Sequence, residues 1–236
     1  MVNSYSIIPM LDNVSKFVDD KLQSTILHTN PFPYLYVSDF FPDDFYSKLE
    51  CIFPDKKYLT NINDKSFKPL DPKAVPVHSR STLTIFNREV GYTEIEGYPH
   101  KQQCIEFREW VSNFLVLKLA AKLQLNESNW DDDTRFVLDQ SGYEKRPHTD
   151  HPKKVFSVLI YMSESKCGTT LLKPKQLGFS DDYGYDHRFD QFDEVFNAPF
   201  KPNTLIAFAR TDTSFHCVRK LGQDEYRKAI HINIRN

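Results

Sequence analysis

The chain has 236 residues, of which 40% are hydrophobic and 26% charged, and its formal net charge is −2. These values are typical of a soluble globular protein, and a charge so close to zero gives no electrostatic case for a nucleic acid or an anionic membrane as the main partner. The length suits one well-packed domain, and we expect a single domain over residues 1–236.

The N-terminus lacks the basic segment and continuous apolar run of a secretory signal. The longest apolar stretch, "FLVLKLAAKLQL" (114–125), is interrupted by Lys118 and Lys122 and is too short to span a bilayer. We therefore expect a cytoplasmic protein. The cysteines have no CxxC spacing and are expected to be ordinary reduced thiols: Cys51, Cys104, Cys167 and Cys217.

Helical and extended segments alternate in the first half of the chain. Apolar residues recur at helical spacing over 12–27 and over roughly 102–125, and a short helix with two aspartates in its first turn is predicted over 43–50. Extended segments are predicted for "PFPYLYVSDFF" (31–41) and "HSRSTLTIFN" (78–87). This half is expected to support the remainder of the domain.

After residue 130 the pattern changes to short β-type runs separated by Gly, Pro, Asn and Asp turns. Such strands after a helical half predict an α+β, mainly β fold: a β-sandwich or jelly roll with the N-terminal helices packed on one outer face. Residues 1–130 would form the helical and mixed support, and 131–236 the core. The predicted strands are "TRFVLDQ", "KKVFSVLIYM", "GTTLLK", "DEVFNAPF", "NTLIAFA", "SFHCVRKL" and "RKAIHINI".

Residues 176–193, "QLGFSDDYGYDHRFDQFD", interrupt this strand rhythm with a long polar and aromatic insertion. Long insertions in compact folds often serve as lids or binding loops. A solvated surface loop would have the same composition. Tyr183 and His187 are therefore candidate substrate contacts, with a purely structural alternative of equal weight.

A candidate metal site begins with "HTD" at the start of an apolar run. Alternate residues of a strand share a face, so His148 and Asp150 would point one way and His151 the other. His216, on a later predicted strand, is the best candidate for a third ligand. Two histidines and one carboxylate form the facial triad of non-haem iron(II) oxygenases. An isolated HxD is common by chance, however, and a lone strand histidine is more often structural.

The last predicted strand, "RKAIHINI" (227–234), has two contrasting faces. Its isoleucines share one face, which can pack under helices, while Arg227, Ala229 and His231 share the other, which is expected to line a cavity. A guanidinium is suited to a two-pronged, charge-assisted pair with a carboxylate. The alternative for Arg227 is a solvated charge at a strand end.

The ordered set of "HTD", then "HCV", then an arginine eleven residues after the distal histidine in "YRKAI", resembles the iron(II)- and 2-oxoglutarate-dependent oxygenases. The resemblance is greatest to their prolyl-hydroxylase-like branch. The segments "PFPYLYVSDFFPDDFYSKL" and "CGTTLLKP" are also similar to stretches of that family. The resemblance covers about residues 31–236.

The resemblance implies a double-stranded β-helix of the cupin-like type, in which His148, Asp150 and His216 hold Fe(II) and form the catalytic centre. Arg227 would bind the distal carboxylate of 2-oxoglutarate. The implied enzyme is a dioxygenase that uses O₂ and 2-oxoglutarate, with ascorbate as a stimulant, and releases succinate and CO₂. Because Asp150 occupies the position that a chloride would need, hydroxylation of an unactivated C–H bond is the expected outcome, although desaturation, ring closure and epimerisation share the same oxidant.

The chain departs from the family pattern at two points. Family members often carry Ser or Thr two residues after the arginine, where this chain has Ala229. Support for the co-substrate is therefore expected from Tyr143 or Tyr161. The usual Gly-Gly pair is reduced to Cys167 and Gly168.

The substrate is less constrained than the metal site. A small polar molecule such as an amino acid or a sugar derivative, or a peptidyl residue, is expected. His78, Arg80 and His231 are candidates for the cavity wall, although each alone is more often structural. His151, before Pro152, is expected to support the ligands indirectly or to lie at the surface. The sequence gives no indication of oligomeric state.

Two other functions are compatible with the same three ligands. A cupin-like metal-binding or sensing domain without turnover would keep the barrel but would not need Arg227 as a buried carboxylate clamp. A zinc hydrolase would need a general base, for which only Glu144 is near the triad, and the open adjacent positions suit iron better.

Overall fold

The computed structural model describes residues 6–62, 79–126 and 130–236. His78, one of the predicted substrate contacts, lies outside the described residues. The helices and strands are α1 (Ile8–Ser24), α2 (Asp43–Cys51), α3 (Lys101–Trp110), α4 (Val116–Lys122), β1 (Tyr34–Val37), β2 (Thr60–Asn61), β3 (Arg80–Phe86), β4 (Asp131–Asp139), β5 (Lys145–His148), β6 (Lys154–Tyr161), β7 (Thr170–Pro174), β8 (Phe192–Asn197), β9 (Thr204–Ala209), β10 (His216–Val218) and β11 (Arg227–Arg235).

The described strands form two sheets. One has seven strands in the order β1-β9-β6-β11-β4-β3-β2, and the other has four in the order β5-β10-β7-β8. Every pairing between neighbours is antiparallel. Two antiparallel sheets with long crossings between them are typical of a jelly roll. The predicted fold class, mainly β with helices on one outer face, is confirmed.

The helices cover the outer face of the seven-stranded sheet. Ile230, Ile232 and Ile234 of β11 are completely buried there and belong to one hydrophobic cluster with Phe45 of α2 and Leu119 of α4. Burying one such side chain contributes about 1.5–3 kcal/mol to folding. The isoleucine face of the last strand therefore packs under helices, as its alternation predicts.

The helix predicted over roughly 102–125 is interrupted by a π-helical turn at Val111–Leu115, between α3 and α4. Its buried residues recur every four positions, at Phe107, Val111, Leu115 and Leu119. A regular α-helix has 3.6 residues per turn, so a four-residue repeat would drift around its surface. The wider π turn absorbs the extra residue and keeps these side chains on the core side.

The early strands belong to the main sheet. β1 pairs with β9, and β3 pairs with β4, so the first half supplies sheet edges as well as helices. The division at residue 130 therefore does not separate the sheet from its support. Among the described residues, no helix combines the length and apolarity needed to cross a bilayer.

Candidate metal centre and co-substrate pocket

Two imidazoles and one carboxylate converge on the four-stranded sheet. His148 ends β5, His216 begins β10, and the two residues lie directly opposite each other in the antiparallel pair. Their ring centroids are 4.3 Å apart. One ligand atom from each of His148, Asp150 and His216 lies within 4.8 Å of the others. This arrangement can close on a single ion from one side, as a facial triad does.

Asp150 reaches the site from a turn, because β5 ends two residues before it. The N–H of Lys154 donates to the carbonyl of His151 at 2.8 Å and closes this turn. Pro152 has no N–H to donate to a neighbouring strand, so the extended pairing cannot continue. The expectation that strand alternation orients Asp150 is therefore wrong. Asp150 is nonetheless buried, and His151 is exposed.

Both imidazoles are fixed by the backbone so that one ring nitrogen remains for a metal. Nδ1 of His148 lies 2.8 Å from the carbonyl oxygen of Arg146, and Nδ1 of His216 lies 3.0 Å from that of Ser214. A carbonyl can only accept, so Nδ1 carries the proton and Nε2 offers its lone pair. Burial lowers the pKa of both histidines, which keeps the rings neutral at pH 7.

The carboxylate of Asp150 is held in its ionised form. Burial alone would raise the pKa of Asp150, but the ammonium of Lys154 and the imidazoles of His216 and His148 outweigh it and lower the pKa. Lys154 Nζ lies 2.7 Å from Oδ1, and the hydroxyl of Ser157 donates to Oδ2 at 2.7 Å. Neither partner was predicted from the sequence. A serine that interrupts the apolar strand "KVFSVLIY" was the available signal for Ser157.

The insertion at 176–193 is attached to the metal-binding segment. Thr149, between the two ligands, is completely buried, and its hydroxyl donates to the carbonyl of Asp181 at 2.7 Å. The N–H of His187 donates to the carbonyl of Pro147 at 2.7 Å. The insertion therefore supports the backbone on both sides of His148.

Asp181 organises the insertion itself. Its carboxylate accepts the N–H groups of Tyr183, Gly184 and Tyr185, and it lies 2.8 Å from Nε2 of His187. His187 is 7% exposed, whereas Tyr183 is 62% exposed. The structure thus places His187 in a buried pair and Tyr183 at the surface. Their roles as substrate contacts stay predictions.

A buried guanidinium faces the interior at the start of β11. Arg227 is 1% exposed, and its Cζ lies 4.4 Å from the centroid of the Phe200 ring. Its Nε and Nη1 atoms have no hydrogen-bond partner among the described residues. A buried cation without an anionic partner is costly, so this arrangement fits a missing carboxylate. Phe200 was not identified from the sequence, because nothing local marks it.

Tyr161 lies beside this guanidinium. Its ring stacks on Phe200 with centroids 3.9 Å apart, and its hydroxyl donates to the hydroxyl of Thr169 at 2.9 Å. Burial raises the pKa of Tyr161, against the opposing charge of Arg227. Tyr161 is also the direct neighbour of Ala229 across the β6–β11 pair. The surroundings of Arg227 are therefore aromatic and small apolar side chains, which suit the short aliphatic chain of a dicarboxylate.

Tyr143 lies on the loop before β5. Its ring centroid is 4.3 Å from Cζ of Arg80, and its ring packs with Val218 and Leu221. The co-substrate roles of Tyr143 and Tyr161 stay predictions.

Arg80 and His231 both lie on the inner face of the seven-stranded sheet. Arg80 forms a two-pronged ion pair with Asp139, with distances of 2.6 and 3.0 Å. Nε2 of His231 is shielded from solvent and has no partner among the described residues. Burial, followed by the charges of Arg80 and Arg227, lowers the pKa of His231 well below its usual value. Of the two, His231 carries the group that a ligand could satisfy.

An open cleft of about 640 Å³ lies at the surface next to the metal strand. It is bounded by β5 and the insertion, and its lining includes Glu144, Arg146 and His187. None of the three metal-ligand candidates lines it. Glu144 is 3.8 Å from Arg146 in an ion pair, which gives no support to its use as a general base.

Solved structures with the same fold are iron- and 2-oxoglutarate-dependent oxygenases. A prolyl-4-hydroxylase from Pseudomonas putida is 16% identical with a TM-score of 0.54, covering 97% of this chain and 100% of its own. A prolyl hydroxylase from Trichoplax adhaerens, in complex with a hypoxia inducible factor peptide, is 13% identical with a TM-score of 0.51 over 97% and 91%. The epimerase SnoN, in complex with Fe³⁺, α-ketoglutarate and nogalamycin RO, is 8% identical with a TM-score of 0.52 over 97% and 84%.

No protein-family model matches the sequence, and neither does any curated protein. At identities this low the structural likeness shows the fold alone. The chain therefore has the fold of the 2-oxoglutarate-dependent, iron(II) oxygenases, the double-stranded β-helix. The function is inferred from the residues that this fold brings together.

Proposed function

We propose that this chain is an iron(II)- and 2-oxoglutarate-dependent dioxygenase that hydroxylates an unactivated C–H bond and releases succinate and CO₂. The substrate would be a small polar molecule, such as an amino acid or a sugar derivative, or a peptidyl residue. One observation carries the proposal: the structure has both a triad of ligand atoms within 4.8 Å and the buried guanidinium of Arg227, whose Nε and Nη1 have no hydrogen-bond partner among the described residues. The structural neighbours with prolyl-hydroxylase activity and with SnoN epimerase activity support both substrate classes.

The residues of the triad fit Fe(II). Neutral imidazole and carboxylate are suitable ligands, and three of them on one side leave positions for a chelating co-substrate and O₂. Iron bound there would supply the activation of O₂. The protein's part is to hold Nε2 of His148 and His216 towards the ion through their Nδ1–H donors, and to keep Asp150 ionised through Lys154 and Ser157.

Arg227 separates this proposal from a metal-sensing domain without turnover. A metal-sensing domain has no use for a buried cation. Burying a guanidinium without a partner lowers the stability of the fold by roughly several kcal/mol, as for other unpaired ions. A distal carboxylate of 2-oxoglutarate would remove that penalty. The aromatic pair of Phe200 and Tyr161 covers Arg227 on one side.

The proposal predicts O₂-dependent formation of succinate from 2-oxoglutarate by the purified protein with Fe(II) and ascorbate. His148→Ala and Asp150→Ala should each abolish this turnover and the binding of Co(II) measured by its visible absorption. His151→Ala is the matched control, because this histidine is exposed and lies next to the ligands in sequence. Its activity should be unchanged.

Turnover without the true substrate can be slow, so binding is measured separately. The anaerobic complex with Fe(II) and 2-oxoglutarate should show a visible charge-transfer band. Retention of that band in His148→Ala, or its loss in His151→Ala, would contradict the assignment of the triad.

A further inference from the structure

The inner face of the seven-stranded sheet carries more positive than negative charge among the described residues. Its cations are Arg80, Arg135, Lys154, Arg227 and Arg235, and its carboxylates are Asp131, Asp133 and Asp139, to which Asp150, paired with Lys154, is added. A bound Fe(II) and the dianion of 2-oxoglutarate would cancel each other and leave this excess unchanged. An anionic ligand is therefore favoured on this face.

His231 occupies the middle of this face. It lies four residues from Arg227 along β11, or about 13 Å, and two residues from Asn233, or about 7 Å. Asn233 is opposite Ser157, which donates to the metal ligand Asp150. The imidazole therefore lies between the carboxylate clamp and the metal centre. The middle of 2-oxoglutarate consists of two methylene groups, which cannot satisfy Nε2 of His231.

The two neighbours of His231 differ in polarity. On β6 it faces Leu159, and on β4 it faces Arg135. Arg135 is a quarter exposed and is paired with Asp133 of its own strand. A polar ligand of His231 is therefore favoured on the β4 side, where a guanidinium is adjacent. The unpartnered Nε2 is the second observation that indicates a ligand here, independent of the charge count.

We propose that the prime substrate carries an anionic group, a carboxylate or a phosphate, which is bound on the inner face by Nε2 of His231 and the guanidinium of Arg135. This inference rests on the proposed function and narrows it to acidic substrates. The anion would neutralise the positive excess and satisfy the buried nitrogen in one step. Uncharged sugars and amides lack the group that this site would bind.

Inorganic phosphate is a direct probe of this site. The protein is loaded with Zn(II) and 2-oxoglutarate, and its histidine ring signals are followed by NMR as phosphate is added. The chain has eight histidines, so His231→Gln assigns the signal. The His231 signal should shift in a saturable way at millimolar phosphate. Sodium chloride at the same ionic strength should leave it in place.

Variants separate the anion site from general charge attraction. Arg135→Gln should weaken phosphate binding about tenfold, the value of a lost charge-assisted pair. Lys16→Gln is the matched control, because this lysine is 80% exposed on α1, which packs on the outer face, and the affinity of this variant for phosphate should be unchanged. Signals from the other histidines report whether each variant remains folded.

The proposal would be overturned if the His231 signal did not shift with phosphate, or shifted equally with chloride. Equal phosphate affinity of Arg135→Gln and the parent would also overturn it. So would a shift shared with the His148 and His216 signals, which would mean that phosphate binds the metal. Failure of the proposed function is a separate result. It would show as no change of the His148 and His216 signals on adding Zn(II) and 2-oxoglutarate. The phosphate titration is then repeated on the metal-free protein, where the shift of the His231 signal and its dependence on Arg135 test the anion site in the same way.

Discussion

On the outer face of the seven-stranded sheet, β11 presents Ile230, Ile232 and Ile234, all completely buried against helices. On the inner face the same strand presents Arg227, which is 1% exposed, and His231, whose Nε2 is shielded from solvent. Arg227 is as well buried as the isoleucines, whereas the His231 side chain as a whole is only partly buried. The faces differ in whether their groups find partners in the protein. The isoleucines are satisfied by packing, whereas Nε and Nη1 of Arg227 and Nε2 of His231 have no hydrogen-bond partner among the described residues.

This difference assigns a separate task to each face. Apolar contacts on the outer face contribute to folding whether or not a ligand is bound. Unpaired polar groups on the inner face reduce stability until a ligand satisfies them. One nine-residue strand can both stabilise the fold and bind a ligand, since neighbouring side chains point to opposite sides of the sheet. Mutations on the two faces should therefore have opposite signatures.

The largest effect on stability is expected for Ile232→Ala on the outer face. Removing buried methyl and methylene groups leaves a cavity and should lower the free energy of unfolding by about 2–5 kcal/mol. Denaturant unfolding followed by circular dichroism measures this. The affinity for 2-oxoglutarate in the folded fraction should not change. Ile26→Ala, at a site that is 72% exposed, should differ from the parent by less than about 0.5 kcal/mol.

Arg227→Met on the inner face should show the reverse pattern. The dissociation constant of 2-oxoglutarate should rise about a hundredfold, because a two-pronged charge-assisted pair is lost. The free energy of unfolding of the ligand-free protein should rise, since an unpaired buried cation is replaced by an apolar side chain of similar length. Anaerobic titration of the Fe(II) complex and denaturant unfolding supply the two measurements. Loss of stability without loss of affinity would place Arg227 in the structural core.

The alternation of apolar and polar residues was sufficient to predict this contrast from the sequence. The isoleucine repeat identified the outer face, and the spacing of "HTD", His216 and Arg227 identified residues that the fold brings into one interior. These features depend on local periodicity and on short signature residues, so a single sequence contains them.

Other features of the site depend on contacts between distant segments. Phe200 contacts Arg227, and Asp181 holds Thr149, but neither residue has a local pattern that indicates its partner. The turn at Asp150 was missed because the apolar run after it was extended backwards through Pro152. The four-residue repeat in the long helix was visible in the spacing of the apolar residues. Whether the helix accommodates this repeat with a π turn depends on the surface against which the helix packs.

The smallest predicted effect concerns pH and tests whether the inner face is a cationic environment. Burial lowers the pKa of His231 well below the usual 6.5, and nearby cations lower it further. These cations are Arg80 on β3, Arg227 on the same strand, Arg135 on β4 and Lys154 on β6. Above pH 6.5 the His231 ring is neutral in both the folded and the unfolded chain, so it does not make the free energy of unfolding depend on pH. Below pH 6.5 the unfolded chain binds a proton that the folded chain excludes, so the free energy of unfolding decreases as the pH is lowered.

His231→Gln should remove this contribution in the metal-free protein. Between about pH 6.5 and about pH 5.5 the parent should lose about 1 kcal/mol more of its free energy of unfolding than the variant does, as expected for one proton taken up by the unfolded chain only. His148 and His216, whose pKa values are also lowered by burial, are present in both proteins, and their contributions cancel in the difference. Equal pH dependence in parent and variant would show that His231 titrates normally. The imidazole would then be neither desolvated nor close to the cations, and the inner face would lose its support as an anion site.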